Sequence, residues 1–204
     1  MNHKVQNVEE LYLSAQHLYN DIVCGVPSGA DGMLRDLSQA VEVLKNNWKG
    51  ADAGVKIQEI ISVHNELVEV RNALAMLARD SSSVASNYRR IQLENGAAFG
   101  ELQSINITDK TDLQPYADNA DTIDINPEAD LGRSLVDAVR DAIDDFIVDS
   151  RKTKDEILGN WQVGTGRNNA DEAFYKFESN AKKNKDKLLD VSLNITKALQ
   201  NYQF

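Results

Sequence analysis

Three histidines, one cysteine and two acidic clusters are the residues of this chain whose types could do chemistry. His3, His17 and His64 lie far apart, and none belongs to an HExxH or Cys/His cluster, the spacings that bring zinc ligands together. His64 falls on the solvent-side shoulder of an apolar seam and reads as a surface or half-buried side chain. Cys24 is the single cysteine and sits in a Gly/Pro loop without a motif-linked histidine. A nucleophilic thiol is not expected there, and an internal disulfide or zinc knuckle cannot form. Asp124, Asn126, Glu128 and Asp130 alternate as in a calcium loop. Ala129 stands where the turn glycine belongs, however, and Leu135 where the bidentate glutamate belongs, which leaves a helix cap. Asp141, Asp144, Asp145 and Asp149 resemble a di-metal carboxylate set, but no Glu-x-x-His accompanies them and they fall mostly off the apolar stripe, as a solvated face does. Gly159–Gly166 lacks the Gly-Lys-Ser/Thr of a phosphate loop. The chain therefore reads as non-enzymatic, with no catalytic residue, no metal ligand and no cofactor.

The bulk properties narrow the partners. The formal net charge is −10 over 204 residues. Such a surface disfavours nucleic acid, whose phosphates need clustered Lys and Arg, and it equally disfavours anionic lipid. A protein partner is expected, and a homo-oligomer is left open. The first residues lack the apolar core of a signal peptide. The longest apolar run, Ala73 to Ala78, is far too short to span a bilayer, so stable membrane insertion is not expected. Either export by a leaderless route or a cytoplasmic location is consistent with this.

The elements that would position any site are helices. Val5, Val8, Leu11, Tyr12, Ala15, Leu18, Tyr19 and Ile22 step by three and four, one apolar helix face. Residues 24–29 break it with Gly and Pro, and Leu34, Leu37, Val41, Leu44 and Trp48 follow, as one interrupted helix or two. Asn46-Asn47-Trp48-Lys49-Gly50 forms a corner, with Gly50 suited to a left-handed residue ending a helix. Beyond it Ile60, Val63, Leu67, Val70, Leu74, Leu77, Ser81, Val84, Tyr88 and Ile91 form a sustained heptad seam, predicting a helix from about 52 to 93. Residues 94–126 lose all periodicity and read as a linker separating two units, with short extended pieces at 104–107 and 122–125. Asn126-Pro127-Glu128 looks like a helix start with Asn as cap. Val136, Val139, Ile143, Phe146, Ser150, Thr153 and Ile157 then lead to a second corner around Trp161 and Gly164. The last helix is predicted from near Asn169, with its seam at Phe174, Phe177, Ala181, Asn184, Leu188, Val191, Ile195, Ala198 and Tyr202.

The expected fold is all-α: two long antiparallel helical hairpins, residues 1–93 and 127–204, joined by 94–126 and packed as an intramolecular four-helix bundle. Trp48, Gly50, Trp161 and Gly164 are its motif residues. Ser81 and Asn184, polar within apolar seams, form either a partly wet layer or a register-setting, partner-facing pair.

Trp48-Lys49-Gly50, set between amphipathic helices of an acidic chain, resembles the WXG superfamily of ESAT-like proteins. Trp161-Gln162-Val163-Gly164 is similar to a degenerate copy with one residue too many, making a tandem, pseudo-dimeric form. The resemblance implies a helical protein of a type VII (ESX-like) secretion system of Gram-positive bacteria or mycobacteria. Its role would be secreted substrate, co-secreted partner or effector-targeting adaptor. Its partner would be another WXG-like protein, a toxin or effector, or the secretion ATPase. The Tyr-x-x-x-Asp/Glu export signal of that family has no clear counterpart: Tyr88 is followed by Gln92 and Tyr175 by Ser179. The alternative is a cytoplasmic coiled-coil scaffold, or a signalling or phage-derived interaction protein.

Overall fold

In the computed structural model, residues 7–120, 123–161 and 165–201 are described, the side chains of 165–168 excepted. The chain is mostly helical. Asn7 caps α1 (Val8–His17), its Oδ1 accepting from the N–H of Glu9 and Glu10. The helix widens into a π-helical turn over Leu18–Val23 and stops at Cys24. After the loop comes α2 (Ala30–Asn47), so the first arm is two helices laid end to end. A two-residue strand β1 (Trp48–Lys49) turns the chain into α3 (Ala51–Glu94), about 65 Å long at 1.5 Å per residue. Strand β2 (Asp124–Ile125) pairs antiparallel with β1, Trp48 opposite Ile125. The chain closes with α4 (Ala129–Asn160) and α5 (Thr165–Asn201).

Helix α3 is the spine. Glu9 of α1 meets Arg89 near its far end, and Asp31 and Ser38 of α2 meet Arg71 and His64 nearer its start. Helix α5 runs antiparallel to it: Lys56 meets Asp190, Lys187 meets Ser62 and Lys176 meets Glu69. Helix α4 pairs antiparallel with α5 through Lys185–Asp144 and Lys154–Asp171, with Phe146 and Phe177 edge to face at 5.9 Å. It also lies against α2, where Leu44 packs on Gly132. One continuous apolar core runs through all five helices and takes in residues of both arms. No described helix is long and apolar enough to cross a membrane.

Three boundaries differ from the sequence expectation. Asn126 does not cap α4 with its side chain. Its N–H donates to the Asn47 carbonyl at 2.8 Å because the β1–β2 pairing continues one step, and its own carbonyl accepts from Ala129. Helix α5 begins at Thr165, four residues earlier than predicted. The α3 seam ends early: Ala85 and Arg89 are buried, while Ile91 is 49% exposed because few elements reach that far.

The connector is the larger difference. Apart from β2 its described residues hold no regular element, but many of them are tied to α3. Residues 100–118 form a strap that lies extended along α3, running back toward its start. Leu102, Ile105, Leu113 and Tyr116 pack on the core.

Candidate functional site

The two tryptophan corners have matching backbones. Trp48 ends α2 in an extended conformation (φ −141°, ψ 121°), its N–H bonded to the Leu44 carbonyl four residues back. Trp161 ends α4 the same way (φ −135°, ψ 114°), its N–H bonded to the Ile157 carbonyl at 3.0 Å. Both rings are buried, at 3% and 4% exposure. The apolar faces that precede each tryptophan deliver it to the core, and the extended residue then stops the helix.

Gly50 sits at φ 119°, ψ 165°. It does not end a helix in the left-handed form expected from the sequence; it precedes α3, in a region that only glycine occupies readily. Its N–H donates to Asp118 Oδ2 at 3.1 Å, and Ala120 N–H donates to Asp118 Oδ1 at 3.0 Å. These two backbone donors, Ala120 first, hold the Asp118 carboxyl below the usual carboxylate range. The strap carboxylate thus satisfies a donor at the start of α3 that no neighbouring residue serves. A groove of about 740 Å³ lies beside the corner, lined among others by Trp48, Gly50, Ile123 and Lys197. Gly164 lies outside the described residues, so the glycine of the second corner has no structural counterpart to set beside Gly50.

Ser81 and Asn184 are both fully buried but do different things. Ser81 Oγ donates back to Leu77 O within its own helix, at 2.7 Å. Asn184 crosses between helices: its Nδ2 donates to Glu66 Oε2 at 2.9 Å, and Asn180 donates to the same oxygen at 3.2 Å. They are not brought together as a pair.

The strap is held by a ladder of side-chain amides on α3 that the sequence analysis does not predict. Asn65 Oδ1 accepts from Leu113 N–H at 2.9 Å, and its Nδ2 donates to Leu113 O at 3.1 Å. Asn72 makes the same pair with Lys110, at 2.9 and 2.8 Å. Gln58 Oε1 accepts from Tyr116 N–H at 2.8 Å. Gln58, Asn65 and Asn72 are seven apart, and their strap partners are three apart. Seven helical residues rise about 10.5 Å and three extended residues span about 10 Å, so the two repeats stay in step. The signal was legible as carboxamides at heptad spacing beside the seam.

Two buried arginines complete the clamp. Arg71 holds Asp31 with Nε at 2.8 Å and Nη2 at 3.3 Å while Nη1 donates to Thr108 O at 2.7 Å. Arg89 pairs with Glu9 and donates to Gly100 O at 3.0 Å. Each ties the N-terminal arm and the strap to α3, and the planar fork explains why arginine fills both places.

The candidate chemical residues are dispersed. His17 pairs with Asp21 at 2.7 Å on the surface, and His3 lies outside the described residues. His64 is 4% exposed, more deeply buried than the surface or half-buried position expected, because the strap covers that shoulder of α3. Burial pushes the Cys24 thiol up, away from the reactive thiolate. Asp124 is in β2, while Asp130 pairs with Arg133 at 2.6 Å. Asp141 pairs with Arg140 and Asp144 with Lys185. Among the described residues no three His, Cys, Asp or Glu side chains converge as metal ligands would.

Compared with known proteins, the chain matches no family model, no curated protein and no solved structure.

Proposed function

We propose that this chain is a non-enzymatic, WXG-like helical protein of a type VII secretion system, acting as substrate, co-secreted partner or effector-targeting adaptor. In this proposal α1–α3 and α4–α5 are the two hairpins of an internal four-helix bundle, a fused equivalent of a dimer. The matched backbones of Trp48 and Trp161 carry it: each long arm ends in the same extended tryptophan with the same four-residue-back hydrogen bond. A Gly-only conformation two residues after Trp48 adds support. Recognition would run through helix faces and the corner groove, with a WXG-like protein, a toxin or the secretion ATPase as partner.

The test is expression in a Gram-positive host with an active type VII system and in its ATPase-deleted sibling. Export or a cross-linked partner in the first host, lost in the second, is the expected result. Retention without any such partner in the first host overturns the proposal. The scaffold alternative rests on the near-complete burial of Trp48, as a pure packing residue requires. Under it, Trp48→Phe would alter stability while leaving partner capture unchanged.

A further inference from the structure

We propose that His64 is a proton-operated latch on the strap: a second proton on its ring loosens residues 110–116 from α3. The ring lies at a three-way junction. Nε2 is 3.1 Å from Ser38 Oγ on α2, and Nδ1 is 3.0 Å from Asn65 Oδ1. Asn65 is the residue that grips Leu113 of the strap with both ends of its amide.

Those two strap bonds fix which way the amide points. Its oxygen must face Leu113 N–H, so the same oxygen faces the ring, and Nδ1 carries the hydrogen. In the neutral ring Nε2 is then a lone pair that accepts from the Ser38 hydroxyl. When Nε2 takes a proton, Ser38 can no longer donate to it. The hydroxyl has a second acceptor ready, Leu34 O at 2.8 Å, so it turns there and accepts from Nε2–H instead. The hydrogen bonds survive; what changes is that a full charge now sits in a site 4% exposed.

No carboxylate touches the ring to offset that charge among the described residues. On α2, Arg35 and Asp36 pair with each other at 2.8 Å and Glu42 is exposed. On α3, Arg71 is held by Asp31, and Glu66 and Glu69 are bonded to α5. On the strap, Lys110 lies 3.9 Å from Asp31. Asp112, next to Leu113, is the carboxylate whose field favours the charged ring. Lifting the strap gives the imidazolium water, a gain that outweighs the field of Asp112 carried off with the strap, and it is the Asn65–Leu113 rung that yields.

The test is amide hydrogen exchange at pH 7.5 and 5.0, expressed as protection factors so that the intrinsic rate cancels. Opening at Leu113 should rise several-fold on acidification, with a ceiling of about 30-fold set by an ordinary histidine pKa near 6.5 in the open state. Ile105, whose N–H is held by Ser82 and not by this junction, should change much less. His64→Gln should abolish the rise at Leu113. Equal protection of Leu113 at both pH values, or an undiminished rise in His64→Gln, overturns the proposal. If that variant does not fold, NMR titration of the natural protein decides. The His64 ring and the Leu113 amide must then shift with one midpoint, and different midpoints refute the latch.

Discussion

Replacing Gly50 with alanine puts a Cβ on a residue at φ 119°, ψ 165°. Such a conformation costs a non-glycine residue about 1–3 kcal/mol, unless the backbone moves. Movement is not free, because Gly50 N–H would leave Asp118 and the start of α3 would lose that partner. A loss of about 2 kcal/mol is therefore expected, which for a chain of this size lowers Tm by roughly 4–8 °C. Urea titration followed by tryptophan fluorescence reads it directly, since Trp48 lies two residues away. Two other glycines calibrate the result. Gly96 has φ 87° with nothing within 4 Å of an added Cβ, so Gly96→Ala should cost about 1 kcal/mol with no effect on the corner. Gly54 has no unusual φ, but its Cβ would stand 2.5 Å from Asp118 N, so Gly54→Ala should push the strap off and expose amides 116–120 to exchange. If Gly50→Ala costs less than about 0.5 kcal/mol, the ordinary range for neutral surface changes, the corner does not depend on this backbone and the reasoning fails.

Arg71→Leu should cost about 3 kcal/mol or more, because it strands Asp31 and the Thr108 carbonyl, and Arg71→Lys should recover little of it; a thermal shift series checks both. Asn184→Leu should raise stability by about 1 kcal/mol, since Asn184 Oδ1 is buried without a hydrogen bond and Asn180 still serves Glu66; a lower Tm would show that the α3–α5 bond outweighs it. Burial lowers the His64 pKa in the folded state, so the unfolded chain binds its proton first. The His64 contribution to stability is thus complete above about pH 6.5 and is lost as pH falls through the lowered folded value. Urea midpoints at pH 7.5 and 5.5 should differ more for the natural protein than for His64→Gln.

Much of the helical framework was legible. The heptad seam placed α3 within a residue at each end, and Val136 to Ile157 marked the buried face of α4, because each helix must present a stripe to the core whatever its neighbours are. The strap was not legible in the same way. Apart from Asp118, its bonds to α3 are made by backbone groups, which carry no sequence signature, and the carboxamides at heptad spacing on α3 do not by themselves say what they hold. The deep burial of His64 and Arg71 is hidden from the sequence for the same reason: a position beside the seam looks solvated or half-buried until something covers it. Gly50 was recognised as special, yet its role lay in starting α3, a distinction that depends on Asp118, 68 residues further on.

The shared pitch of the carboxamide ladder and the strap makes this part of the molecule a modular ruler. A heptad spliced into α3 between Asn65 and Asn72 leaves the rungs aligned only if three residues are added between Lys110 and Leu113. Any other insertion throws the rungs out of phase. For the ladder taken alone, the permitted changes are therefore paired, seven against three, as a gear train accepts only whole teeth, while the bonds of Glu66, Glu69 and Arg71 to other helices hold the arm at its present length.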